Sequence, residues 1–306
     1  MRVAYLGNDR RSVPPLRALL GSRHEVVLVI TRDPRPAGRG GPERATAVAE
    51  AARDRGLPML ETPTVKGGEG LDRLRAAGSD ALVVVAYGEI LPAEVLAIPR
   101  IAPLNVHFSL LPTLRGADPV RRAILDGLDR TGVTTIRMDE GMDTGPILLQ
   151  VEEPIRDEDD AGSLGARLAE VGGGLLVETL DGLEAGTVQE RPQRGVATVA
   201  PKLSREEEWI DWTEPAEVVW RRVRALAPDP GARTRYRGRV VKVARVRPGR
   251  AEGRPGTVVE VSKHRLMVGC GREAVSLEHV VPEGRPGMSG PEFARGRGVA
   301  VGDRFG

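Results

Sequence analysis

The sequence predicts an α/β fold: a doubly wound, mostly parallel sheet in a larger N-terminal domain, followed by a smaller C-terminal OB-like β-barrel domain. Three observations lead there. Short apolar runs, rich in Val, alternate with stretches of helical spacing through the first two-thirds of the chain, the pattern of strand–helix–strand units. One of them, 80–86, has an unbroken apolar middle, as in a strand buried on both faces. Past residue 187 the texture changes to short alternating strands cut by Gly and Pro turns. A length of 306 residues fits about two domains, and the expected division is 1–188, a linker at 189–204, and 205–306.

In chain order, residues 2–6 form a short buried strand and Gly7 opens a loop. A helix starts near Pro14 or Pro15, because proline suits the first helical turn, where its missing N–H has no partner to lose. Residues 25–30 form a second strand, 43–55 has helical spacing, and 80–86 is the next strand. After Leu91-Pro92 and a short helix comes a strand at 103–108. Residues 117–127 read as helix, 132–137 and 147–155 as strands, and 163–183 as a long amphipathic helix packed back on the sheet. From Gln189 to Lys202 the chain crosses Pro192, Gly195 and Pro201 and reads as extended. Beyond lie a helix at 215–226 and strands at 232–237, 239–247, 256–261, 265–268 and 273–278.

Composition narrows the function classes. Hydrophobic content of 40% with 29% charged residues describes a soluble globular chain. No apolar run approaches a membrane span and the first residues lack the apolar stretch of a secretion signal, so a cytoplasmic protein without a membrane partner is expected. Cys270 is the only cysteine, which excludes an internal disulfide and a thiolate metal cluster. His24, His107, His264 and His279 lack metal-ligand spacing, so no metal is expected. Charge is uneven: 21 Lys/Arg face 14 Asp/Glu from residue 202 onward, against 24 and 29 before it. A basic C-terminal part can attract a polyanion, although a solvated basic face fits the charge equally well.

The chemistry is written at Asn105-Val-His107-Phe-Ser109-Leu-Leu-Pro112 and at Asp139-Glu-Gly-Met-Asp143-Thr-Gly145. Strand side chains alternate faces, so Asn105 and His107 project from one side of an otherwise apolar strand. An amide and an imidazole two residues apart can converge on one oxygen, the geometry that stabilises an oxyanion as a carbonyl turns tetrahedral. Asp143, on a glycine-flanked loop, can orient the imidazole or move a proton.

At these residues the chain resembles the folate-dependent formyltransferases, whose shared pattern is Asn-x-His, a following Ser-Leu-Leu-Pro and a downstream Asp-Thr-Gly. The similarity runs through almost the whole chain and points to the branch that acts on methionyl-tRNA. It includes Arg35-Pro-Ala-Gly-Arg39-Gly-Gly41, Val84-Val-Ala-Tyr87-Gly-Glu-Ile-Leu91-Pro92, Lys202-Leu-Ser204, Ile210-Asp-Trp212 and the tail from Phe293 to Gly306. The resemblance implies a Rossmann-like catalytic domain with Asn105, His107 and Asp143 as its catalytic groups. It implies 10-formyltetrahydrofolate as formyl donor and the α-amine of methionine on initiator tRNA as acceptor. The folate would lie along Ala86, Tyr87, Gly88, Ile90 and Leu91, then Ser109, Leu110, Leu111 and Pro112, then Met138, Asp139 and Gly141. Arg39 would face the tRNA, the basic barrel would grip phosphates, and a monomer is expected.

The chain departs from the family pattern at Gly7-Asn8-Asp9-Arg10-Arg11, at Phe108 after the catalytic His, at Gly41-Pro42-Glu43, and at Pro228-Asp229-Pro230-Gly231. These changes leave the trio intact and bear on the acceptor. A sugar-amine N-formyltransferase acting on a nucleotide-linked amino sugar is therefore the alternative, with a formyltetrahydrofolate hydrolase behind it. A nicotinamide dehydrogenase lacks support, because no GxGxxG follows the first strand. An RNA-binding protein with a dead site is disfavoured by the complete trio.

Overall fold

The computed structural model describes residues 1–36 and 41–306. They group into two compact units, the first made of Met1–Pro119, Arg130–Pro154 and Gly165–Pro201, the second of Val120–Asp129, Ile155–Leu164 and Lys202–Gly306. The strands of the first are β1 (Arg2–Gly7), β2 (Glu25–Thr31), β3 (Arg35–Pro36), β4 (Glu43–Arg44), β5 (Met59–Glu61), β6 (Ala81–Val85), β7 (Ala102–His107), β8 (Arg130–Arg137) and β9 (Ile147–Pro154). Seven of them make one sheet in the order β5-β2-β1-β6-β7-β8-β9, while β3 and β4 pair with each other. Pairing is parallel from β5 to β7 and antiparallel from β7 to β9. The helices of the first unit are α1 (Val13–Leu20), α2 (Ala47–Asp54), α3 (Gly68–Ala76), α4 (Ala93–Leu96) and most of α6 (Ala161–Ala185), whereas α5 (Pro119–Leu125) belongs, past its first residue, to the second unit.

Local chemistry explains where these elements start. Prolines sit in the first turn of α1, as their missing N–H allows. Helical spacing predicted a helix from residue 43, but α2 begins only at Ala47. Thr46 takes an extended conformation and its Oγ1 accepts from Ala49 N at 3.0 Å, and Glu43 and Arg44 are committed to β4. All five residues of β6 are buried, as a strand covered on both faces requires. On one face Leu82 and Val84 join Leu6, Ile30, Tyr87 and Leu91 in a single apolar cluster. β7 continues that face, because Val84 is in register with Asn105.

The opposite face of β7 carries Val106 and leads to Phe108, both buried. A Cβ on Gly172 of α6 would meet Val106 at 3.1 Å and Phe108 at 3.4 Å. Glycine inside a helix costs roughly 1 kcal/mol relative to Ala, and here its bareness lets α6 lie close on the strand. Phe108 thus faces the helix and not the polar side of the strand.

The second unit is built on β10 (Ala232–Tyr236), β11 (Arg239–Gly249), β12 (Val258–Val261), β13 (Leu266–Gly269), β14 (Ala274–Pro282) and β15 (Met288–Ser289), all paired antiparallel, with α7 (Ala216–Leu226) and α8 (Gly290–Arg297). The strand order is β10-β11-β14-β13-β12, with β15 on β14. The tail joins the two outer strands: Arg304 bridges Thr257 and Phe305 bridges Tyr236. Phe305 also packs its ring against those of Tyr236, Phe293 and Trp212, at centroid distances of 5.1, 6.2 and 6.2 Å. Cys270 is buried in this core, and burial pushes its thiol up to about 12, away from the thiolate form. No helix among the described residues is long and apolar enough to cross a membrane.

Candidate active site

Asn105, His107 and Asp143 meet. Asn105 Nδ2 donates to Asp143 Oδ1 at 3.0 Å, and His107 Nδ1 lies 3.5 Å from Asp143 Oδ2. The second distance is too long for a firm hydrogen bond. The firm bond to the ring is at its other nitrogen, where Nε2 stands 2.9 Å from the Leu114 carbonyl. A carbonyl can only accept, so Nε2 carries a proton, and Nδ1 is the ring nitrogen that faces the carboxylate. Gly116 N donates to Asp143 Oδ2 at 2.8 Å, so both carboxylate oxygens are tied down. His107 is buried, whereas the Asp143 side chain keeps 14% of its surface. The trio therefore opens toward solvent at the amide and acid end.

Backbone strain gathers around these groups. Among the described residues five non-glycine residues have positive φ, and three sit in the loops about the trio: Ala86 (44°), Leu114 (61°) and Asp143 (55°). Left-handed backbone at such residues costs roughly 1–3 kcal/mol each and persists only where the surroundings hold it. At Leu114 and Asp143 the holding bonds are those just described. Gly145 closes the second loop, since a Cβ there would collide with the Arg137 carbonyl.

The residues expected along the folate divide into two groups. Ile90 is 64% exposed on the loop after β6, and Gly88 beside it has φ 78°. Met142, which sequence reasoning did not single out, is 48% exposed on the Asp143 loop. By contrast Tyr87 and Leu91 are buried in the apolar cluster, with Met138 packed against it. Burial, with Glu89 nearby, pushes the Tyr87 phenol up to about 12, and its hydroxyl has no partner among the described residues. Ala86 is half-buried and Gly88 exposed, on either side of the buried Tyr87.

Ser109 Oγ donates to the Thr113 carbonyl at 2.6 Å, a turn contact, and Leu110, Leu111 and Pro112 complete that turn. Leu111 is buried and its N–H donates to Thr134 Oγ1 at 3.2 Å. Asp139 Oδ1 accepts from Gly141 N at 3.1 Å and from Thr144 Oγ1 at 2.6 Å, so it shapes its own loop. Arg39 lies outside the described residues.

The formyl transferase family profile matches residues 1–180, and the formyl transferase C-terminal domain profile matches 202–298. The methionyl-tRNA formyltransferase of Thermus thermophilus is 44% identical over 306 residues, spanning 100% of this chain and 99% of that protein. The chain belongs to the methionyl-tRNA formyltransferase family. Another such formyltransferase, from Acidothermus cellulolyticus, is 42% identical over 324 residues, covering both chains in full. Solved structures share the fold at lower identity. HypX from Aquifex aeolicus, in complex with tetrahydrofolic acid, aligns with a TM-score of 0.65 and 21% identity, over 96% of this chain and 47% of that one. The sugar 3N-formyl transferase WlaRD aligns with a TM-score of 0.66 and 17% identity, over 94% and 99%. The methionyl-tRNA formyltransferase relatives thus match this chain far more closely in sequence than the sugar enzyme does.

Away from the trio, the second unit holds a cavity of about 480 Å³ lined by Arg237, Arg239, Arg297, Glu283, Tyr236 and Phe293, among others. Arg237 is anchored by the carbonyls of Arg297 and Gly298 and by Asp303. Arg239 and Arg297 have no side-chain ion pair among the described residues. Sequence reasoning found the basic bias of this unit but not this cavity, because Arg297 of α8 reaches the β10–β11 hairpin carrying Arg237 and Arg239 from a distant part of the chain.

Proposed function

We propose that this chain transfers the formyl group of 10-formyltetrahydrofolate to the α-amine of methionine on initiator tRNA, by direct attack of the amine. The observation that carries the reading is the meeting of Asn105, His107 and Asp143, the amide hydrogen-bonded to the acid and the ring 3.5 Å from it, in a chain 44% identical along its length to a methionyl-tRNA formyltransferase. Residues 1–188 supply the chemistry, 189–204 join the domains, and 205–306 hold the RNA.

The Asn105 amide has two hydrogens, and one is given to Asp143. The other donates to the formyl oxygen as it becomes an oxyanion. His107, its Nε2–H held by Leu114, turns Nδ1 to the same oxygen and donates there when that nitrogen is protonated. Asp143 takes the proton that the attacking amine releases. As the new N–C bond forms and the bond to the folate nitrogen breaks, that proton passes to the departing nitrogen, so no covalent enzyme intermediate is needed. The exposed side chains of Ile90 and Met142 offer apolar surface for a flat ring system. The arginines of the second unit, with Arg39, meet phosphates.

The test offers purified protein the folate donor with methionyl-initiator tRNA in one tube and a nucleotide-linked amino sugar in another. N-formylmethionine recovered from the tRNA alone supports the proposal. Formylation of the sugar, or formate release with no acceptor, would replace it with the corresponding alternative.

A further inference from the structure

The stretch expected to be a plain linker makes a dense set of contacts within the first unit. Arg191 and Ile147 exchange backbone bonds of 2.7 and 2.8 Å. Two residues on, Gln193 uses its whole amide. Its Nε2 donates to the carbonyls of Asp143 at 2.7 Å and Gly145 at 2.8 Å, and its Oε1 accepts from Arg115 Nε at 3.0 Å and Nη2 at 2.6 Å. The amide orientation is fixed chemically, because a guanidinium has donors only and must face the oxygen. Arg115 lies between Leu114, whose carbonyl holds His107, and Gly116, whose N–H holds Asp143. Farther along, Arg115 N donates to the Thr198 carbonyl at 2.9 Å, Ala200 N donates to the Arg115 carbonyl at 2.7 Å, and Leu114 N donates to Thr198 Oγ1 at 2.8 Å.

We propose that Gln193 is a positioning residue for formyl transfer, its amide joining the loop that carries Asp143 to the loop that orients His107. The inference rests on the trio being the reacting groups. A primary amide suits the place on three grounds. It supplies two donors to two carbonyls and an acceptor to the arginine. It is neutral beside a reacting carboxylate, and it has the reach that Asn lacks by one methylene. Asp143 has left-handed backbone and needs its carbonyl satisfied to stay there. Losing the amide would let the loop relax and draw the carboxylate away from Asn105.

The experiment measures steady-state formyl transfer to charged initiator tRNA for Gln193→Glu, Arg115→Ala, their double variant, Asn105→Ala and Arg194→Ala. Gln193→Glu keeps the arginine pair but turns two donors into an acceptor. We expect its kcat to fall roughly tenfold or more, with KM for both substrates within about twofold of the wild type. A residue that only supports the fold would lower the folded fraction and leave kcat per folded molecule unchanged. Arg115→Ala should cost a similar factor, and the double variant no more than the worse single, because both act through one contact. Arg194, exposed beside Gln193, should be dispensable. Gln193→Asn, which withdraws the amide while keeping its chemistry, gives the same kcat test if Gln193→Glu does not fold. A Gln193→Glu enzyme with wild-type kcat, or losses that multiply in the double variant, would overturn the proposal while Asn105→Ala is crippled. Normal turnover in Asn105→Ala would instead remove the reading on which it rests.

Discussion

The loops around Asn105 and the arginine-lined cavity of the second unit represent opposite ways of spending polar groups. In the first, both oxygens of Asp143 and both ends of the Gln193 amide are bonded within their own unit. In the second, Arg239 and Arg297 line a cavity with no ion pair among the described residues. The difference fits the two roles proposed for these places. A developing charge on one oxygen is stabilised by donors already in place, so geometry is fixed in advance. A polyanion is attracted by charge density over many ångströms and tolerates side chains that adjust.

That contrast predicts sharply different mutational responses. Asn105→Ala removes one oxyanion donor, a loss of roughly 2.7–4 kcal/mol in the transition state, so turnover should fall about a hundredfold or more in a single-turnover assay with saturating substrates. If it falls only a few-fold, the tight site is not where the charge develops. Phe305→Ala empties the ring cluster of the second unit and should cost roughly 3–5 kcal/mol of unfolding free energy, read from chemical denaturation of that unit. Replacing Arg239 and Arg297 together with Ala should weaken RNA binding modestly and reduce the salt slope by about one per lost phosphate contact. Turnover with saturating tRNA should hold, whereas a collapse would give these arginines a precise role. The smallest effect is expected from Phe108→Leu. It alters the face of β7 packed on α6, with a stability loss below about 1.5 kcal/mol and near-normal turnover if that face is inert.

Side-chain identity made some of this legible in the sequence, and its absence hid the rest. Asn105 and His107 announce themselves because polar residues on an apolar strand need a reason, and the alternation of strand faces puts them together, while Asp143 stands out only through its glycine-flanked loop and the family pattern. The groups that complete the constellation are a Leu114 carbonyl and a Gly116 N–H, which every residue possesses and no spacing reveals. Gln193 sits among Pro, Arg and Gly in a stretch with no periodicity, and its importance comes only from where the chain folds back. The parallel sheet was readable from buried apolar runs. The joining of Tyr236 to Thr257 through Phe305 and Arg304 was not, since it depends on residues far apart in the chain. The helix expected from residue 43 shows the limit of spacing alone, where a threonine cap and a short ladder decide the boundary.

Gly172 shows how far from the reacting groups the chain is vulnerable. It has no polar atom to contribute beyond its backbone, yet one added methyl would press on Val106, which lies between Asn105 and His107 in the chain. Random mutagenesis scored for lost formylation should therefore return hits at this helix position, and they would resemble damaged chemistry while Asn105, His107 and Asp143 read as wild type.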